Sequence, residues 1–127
     1  MYRVVAGHHF DSAHYLRGYQ GKCSRLHGHR WEVEAEIRGE ELNPLGMLID
    51  FSILKKLLRE VAEPLDHQNL SEISPFDTIN PTAENIAGYI YHQMKDKMTP
   101  DTLPPKACLY KVTVWESPEC RAEYSEK

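Results

Sequence analysis

Near its N-terminus the chain gathers side chains that bind metals, in Cys23-Ser24-Arg25-Leu26-His27-Gly28-His29. On an extended backbone, residues two apart point to the same side, so His27 and His29 can reach one ion. Gly28 between them lacks a Cβ, which lets the backbone pass close to a metal. Imidazole suits zinc, and three histidines with an open fourth position form a catalytic zinc arrangement. The third ligand must come from elsewhere. His14, in Phe10-Asp11-Ser12-Ala13-His14, is the first choice, with His8 and His9 as competitors on the preceding strand. Cys23 stands four residues before His27. As a ligand it would close a Cys-His₃ structural site; beside the cation without ligating it, its thiolate is favoured and can serve as a base.

Asp66-His67 is the second chemical pair. A carboxylate against an imidazole fixes its tautomer and raises its basicity; the plainer alternative is a helix-terminal histidine beside a solvated aspartate. Glu116 ends an apolar strand just before Ser117-Pro118. It either faces water or holds a planar heterocycle through two parallel N–H donors. Cys108 fits the apolar face of the same strand as a core residue, and His92 reads as an exposed or interface histidine of a helix.

The elements that must position these groups follow from periodicity. Residues 2–10 read as a strand and 11–26, with Gly18 and Gly21, as a loop. From His29 to Arg38, Trp31, Val33, Ala35 and Ile37 alternate with Glu32, Glu34 and Glu36, which is a strand. A turn over 39–44 leads to a short strand at 46–49. Asp50 or Ser52 caps a helix with Phe51, Leu54, Leu57, Leu58 and Val61 on one face, ending near Pro64. After a loop over 65–81, Thr82 caps a second helix to about Lys97, with Ala83, Ile86, Ala87, Ile90 and Met94 inward. Residues 107–116 alternate again, with Cys108, Tyr110, Val112, Val114 and Glu116 on one parity and Trp115 on the other, and 121–124 closes the chain. The expected order is β-β-β-α-α-β-β in one α+β domain spanning 1–127, its two helices on one face of the sheet. The other face, where Glu32, Glu34 and Glu36 lie, must meet water or another subunit.

Composition narrows the function classes. In 127 residues the formal charge is −4, with 41% hydrophobic and 27% charged residues, as in an ordinary globular domain and unlike a disordered chain. The acidic balance disfavours nucleic acid as a direct partner. No apolar run is long enough to span a membrane. Met1-Tyr2-Arg3-Val4-Val5 leads straight into polar sequence, so no secretory leader is expected and the chain is expected in the cytoplasm. Three cysteines in such a chain do not suggest a disulfide framework.

Six motifs then combine in order: Phe-Asp-Ser-Ala-His (10–14), Cys-x-x-x-His-Gly-His (23–29), Gly-Met-Leu-Ile-Asp-Phe (46–51), Leu-Asp-His (65–67), Asn-Pro-Thr-Ala-Glu-Asn (80–85) and Val-Trp-Glu-Ser (114–117). Together they resemble the 6-pyruvoyltetrahydropterin synthase superfamily. The three residues between Cys23 and His27 are most similar to its bacterial and archaeal branch, the 6-carboxy-5,6,7,8-tetrahydropterin synthases of queuosine biosynthesis. The resemblance implies a tunnelling fold, in which trimers close antiparallel sheets into a barrel and two trimers form a homohexamer. It implies Zn(2+) on His14, His27 and His29, Cys23 as base, His67 with Asp66 as proton relay, and Glu116 as pterin anchor. Lys22, Arg25 or Arg17 would receive a triphosphate. The implied reaction takes 7,8-dihydroneopterin triphosphate to 6-carboxytetrahydropterin, acetaldehyde and triphosphate. Its alternatives are triphosphate elimination without side-chain cleavage, and a zinc-binding module without catalysis, in which Cys23 would ligate the metal. An iron oxygenase would need Asp11 as its carboxylate ligand.

Overall fold

The alternating stretches of the chain pair into one antiparallel sheet of four strands, in a computed structural model that describes residues 1–126. The strands are β1 (Tyr2–His14), β2 (His27–Gly39), β3 (Cys108–Ser117) and β4 (Cys120–Ser125), adjacent in that order. Two helices, α1 (Phe51–Ala62) and α2 (Ala83–Lys97), connect β2 to β3 and pack on one face. Each begins at the cap its sequence offers. The Asp50 carboxylate accepts the Ser52 N–H at 2.8 Å, and the Thr82 hydroxyl accepts the Asn85 N–H at 3.1 Å. The core lies between sheet and helices: Trp31, Val33, Ala35 and Ile37 meet Leu54, Leu58, Ile86, Ile90 and Met94, all fully buried. No helix is long and apolar enough to cross a membrane among the described residues.

Four local expectations are corrected. β1 continues four residues past Phe10, because Ser12 and His14 keep the inward alternation and are buried at 7% and 1% exposure. Polar side chains had hidden that alternation. Residues 46–49 form no strand among the described residues: Asn43 Oδ1 accepts the N–H groups of Leu45 and Met47 at 3.0 Å each, folding the segment into a turn. Leu48 and Ile49 still reach the core from it. Phe51 starts α1 exposed, while Ala62 takes an inward place at its end. Finally, Glu36 pairs with Lys111 but Ile37 with Leu109, so Tyr110 bulges out of register. The bulge shifts the parity before it, burying Leu109 and leaving Cys108 exposed rather than in the core.

The sheet face away from the helices is charged. Lys111 pairs there with Glu123 at 2.9 Å, and Arg38 binds Glu36 and lies 3.4 Å over the Tyr110 ring. Trp115 falls on this face, as its parity implies, with Arg121 5.7 Å above its ring.

Candidate metal centre

Strand register builds the site. In the β1–β2 ladder His14 stands opposite His27 and Ser12 opposite His29, while Phe10 faces Trp31. The three histidines therefore leave the same face, at the end of the sheet beyond the apolar core. Their ring centroids are 4.5 Å (His14–His27), 5.1 Å (His14–His29) and 4.9 Å (His27–His29) apart. One nitrogen of each ring and a Glu116 carboxylate oxygen all lie within 4.8 Å of one another. Trp31, fully buried, forms the floor, edge-on to His14 at 4.9 Å and to His29 at 5.2 Å. Its indole N–H donates to the Ser12 carbonyl at 3.2 Å.

Two main-chain carbonyls set the tautomers. His14 Nδ1 lies 2.7 Å from the Pro81 carbonyl oxygen, and His27 Nδ1 lies 2.6 Å from that of Arg25. A carbonyl oxygen only accepts, so both Nδ1 atoms carry hydrogen and both Nε2 atoms present lone pairs. His14 Nε2 and His29 Nε2 are buried with no hydrogen-bond partner. Glu116 Oε1 approaches His29 Nε2 to 3.3 Å without the alignment of a hydrogen bond. Burial lowers the His14 pKa, against the pull of the Pro81 carbonyl. It lowers that of His29 too, against the attraction of Glu116. Three converging imidazole nitrogens, two of them buried and unpaired, beside a carboxylate fit a divalent metal ion.

The competitors fall away on geometry. His8 pairs with Val33, six residues from His14, which is about 20 Å along an extended strand. Asp11 lies on the other face of β1, its carboxylate held by Arg30 at 3.0 and 3.2 Å. Cys23 is half-buried in a single 3₁₀ turn, Lys22–Ser24, and its sulfur is not among the converging donors. Gly28 does not serve the purpose expected of it. It is exposed and on the opposite face from the histidines, and a Cβ there would meet nothing closer than the Ser12 carbonyl oxygen at 3.9 Å.

Lys22 and Arg25 are exposed, and Arg25 contributes its carbonyl to His27. Arg17 is committed elsewhere: its guanidinium donates to the carbonyls of Ser71, Phe76 and Ile79. It braces the 71–79 loop. Asp66 and His67 do form the expected pair, with Asp66 Oδ2 2.8 Å from His67 Nδ1. The Asp11 N–H donates to Asp66 Oδ1 at 2.9 Å; with the His67 bond this holds the carboxyl below its ordinary pKa. However, His67 has φ 55° and a side chain 80% exposed. The pair lines a cavity of about 330 Å³ with His8, His9, Arg59 and Glu63, and none of the three clustered histidines lines it. His92, exposed as expected, reaches the Tyr124 hydroxyl at 3.2 Å.

Sequence reasoning missed the Pro81 and Arg25 carbonyls, since a backbone acceptor leaves no residue-type signal. It also missed Glu116 as a neighbour of the histidines. That one had a signal: Glu116 shares the parity of Val112 and Val114, which are buried, and the Glu32–Trp115 pairing sets it on the inward face with Trp31.

Comparison with known proteins gives a consistent result. The profile of the family described as 6-pyruvoyl tetrahydropterin synthase matches residues 3–127. A 6-carboxy-5,6,7,8-tetrahydropterin synthase of Haemophilus influenzae is 30% identical, covering 99% of this chain and 100% of its own. One of Bacillus subtilis is 34% identical, covering 94% and 82%. Among solved structures, the 6-pyruvoyl tetrahydropterin synthase of Caenorhabditis elegans superposes with TM-score 0.85 at 30% identity, covering 99% of this chain and 96% of its own.

Proposed function

The chain belongs to the 6-pyruvoyl tetrahydropterin synthase family, and from that premise we propose that it is a zinc-dependent lyase of the carboxy branch. Its substrates are 7,8-dihydroneopterin triphosphate and water, and its products 6-carboxy-5,6,7,8-tetrahydropterin, acetaldehyde and triphosphate. This is an early step of queuosine biosynthesis, carried out in the cytoplasm by one domain spanning residues 1–127. The observation that carries the reading is the convergence of His14, His27 and His29, two of them with buried, unpaired Nε2 atoms, in a chain whose bacterial relatives bear the carboxy name.

His14, His27 and His29 hold the metal, which when bound supplies a positive charge that polarises side-chain oxygens of the substrate. Cys23 takes a proton from the carbon beside such an oxygen. His67, with Nδ1–H fixed on Asp66, keeps Nε2 available to carry protons to and from the neighbouring oxygens. Glu116 receives two N–H donors of the pterin ring and so orients the reacting carbon. Lys22 and Arg25, exposed on either side of Cys23, receive the triphosphate.

Because Asp66 and His67 line a cavity that the histidine group does not reach, this chemistry requires more than one copy. The exposed His67 of one protomer completes the metal site of a neighbour, within a trimer or a homohexamer of two trimers. The charged sheet face then lines the interior of the assembly.

The test is incubation of the zinc-loaded protein with 7,8-dihydroneopterin triphosphate, followed by identification of the pterin and any aldehyde. Acetaldehyde in equal amount with 6-carboxytetrahydropterin is the expected result, abolished in Cys23→Ala with zinc retained. A pyruvoyl product without aldehyde would move the chain to the other branch; zinc binding without turnover would leave a binding module.

A further inference from the structure

The three histidines do not hold themselves in place; the least obvious support lies at the end of β1. His14 donates its Nδ1–H to the Pro81 carbonyl, so the position of that carbonyl decides where His14 Nε2 points. Pro81 is buried and sits at the centre of a tight turn, in which the Thr82 N–H donates to the Asn80 carbonyl at 2.9 Å. The fixed φ of proline suits such a turn. Immediately before it, the Asn80 side chain clasps the chain that continues from β1. The Arg17 N–H donates to Asn80 Oδ1 and Asn80 Nδ2 donates to the Arg17 carbonyl, each at 2.9 Å. One side-chain amide thus replaces a strand partner and binds both main-chain groups of a residue three positions beyond His14. The Asn85 amide holds the Asn80 carbonyl from the other side, at 2.9 Å.

We infer that Asn80 is a positioning residue for the metal: by clasping Arg17 it sets the Pro81 carbonyl against His14 and keeps His14 Nε2 aimed at the other two imidazoles. The inference rests on the reading of His14, His27 and His29 as metal ligands, and adds a residue that touches neither metal nor substrate. Asn80 acts through a single ligand. Its effect on metal binding therefore depends on His14 being present, whereas a general contribution to folding would not.

The experiment is a double-mutant cycle on zinc affinity, read by competition with a chromophoric chelator, with cobalt(II) absorption as a second signature. Asn80→Ala weakens zinc binding by about 10–100-fold when His14 is present, the range for partners that orient a ligand. In a His14→Ala background the same substitution changes affinity by no more than about 2-fold, the scatter of independent effects. Its cobalt spectrum shifts toward that of His14→Ala, while circular dichroism stays native. Asn80→Asp keeps the acceptor for the Arg17 N–H and loses the donor, so it gives an intermediate loss; it carries the cycle if Asn80→Ala does not fold. Equal losses in both backgrounds, or unchanged affinity in a folded Asn80 variant, would overturn the inference and leave the metal reading intact. Failure of the unaltered protein to bind zinc would overturn both.

Discussion

Replacing His29 with leucine separates what the metal site costs the fold from what it does for the metal. His29 Nε2 is buried without a hydrogen-bond partner, 3.3 Å from the Glu116 carboxylate. A buried polar atom left unpaired costs about 1–3 kcal/mol. No hydrogen bond of His29 is lost on substitution among those described, and leucine packs against Trp31 in its place. Metal-free His29→Leu is therefore more stable than the unaltered chain by about 1–3 kcal/mol, a rise in Tm of roughly 3–10 °C for a domain of this size. With zinc the order reverses. At a free concentration of about 1,000 times Kd, the native site gains about 4.1 kcal/mol, and the variant, short of one imidazole, gains little. The assay is thermal unfolding by circular dichroism at pH 8 and one protein concentration, first with a chelator and then with zinc. A variant less stable than the parent in chelator would refute the unpaired-nitrogen reasoning; an order unchanged by zinc would refute the ligand role.

Three further outcomes follow from the geometry. Because burial lowers the folded-state pKa values of His14 and His29, the unfolded chain binds more protons below about pH 6.5. Metal-free stability is thus full above that pH and falls as pH drops through it; urea unfolding from pH 8 to pH 5.5 measures the slope, and His29→Leu makes it shallower. Glu116→Gln raises KM for the pterin about 10-fold or more while keeping one zinc per chain, by metal analysis and steady-state kinetics; loss of zinc would make Glu116 a ligand instead. Gly28→Ala leaves zinc affinity unchanged and stability within about 0.5 kcal/mol, since its Cβ enters open space away from the histidines; chemical denaturation with a zinc titration checks both.

What could be read in advance divides along physical lines. Period-two alternation located β2, and the cap residues Asp50 and Thr82 located both helices, because those signals are local. The same alternation ran on through Ser12 and His14, but polar residues on an inward face do not look like strand interior, so the end of β1 was hidden. The spacing of His27 and His29 carried the metal site because a strand repeats every second residue. His14 was already the first choice, and the ladder register, which sets it opposite His27, separates it from His8. The bulge at Tyr110 and the commitment of Arg17 to three carbonyls have no signature in residue types, since both are set by where distant stretches of backbone come to lie. The Asp66–His67 pair was legible as a pair, but its separation from the histidine group within one protomer was not, because it is a property of the folded surface.

The central claim is that three histidines on two paired strands hold one metal on which pterin turnover depends. Its most direct measurement is turnover of 7,8-dihydroneopterin triphosphate during stepwise return of zinc to the stripped protein. Activity should rise linearly and level off at about one zinc per chain, and His27→Ala should recover none of it. Full turnover by the stripped protein, or full recovery by His27→Ala, would contradict the claim.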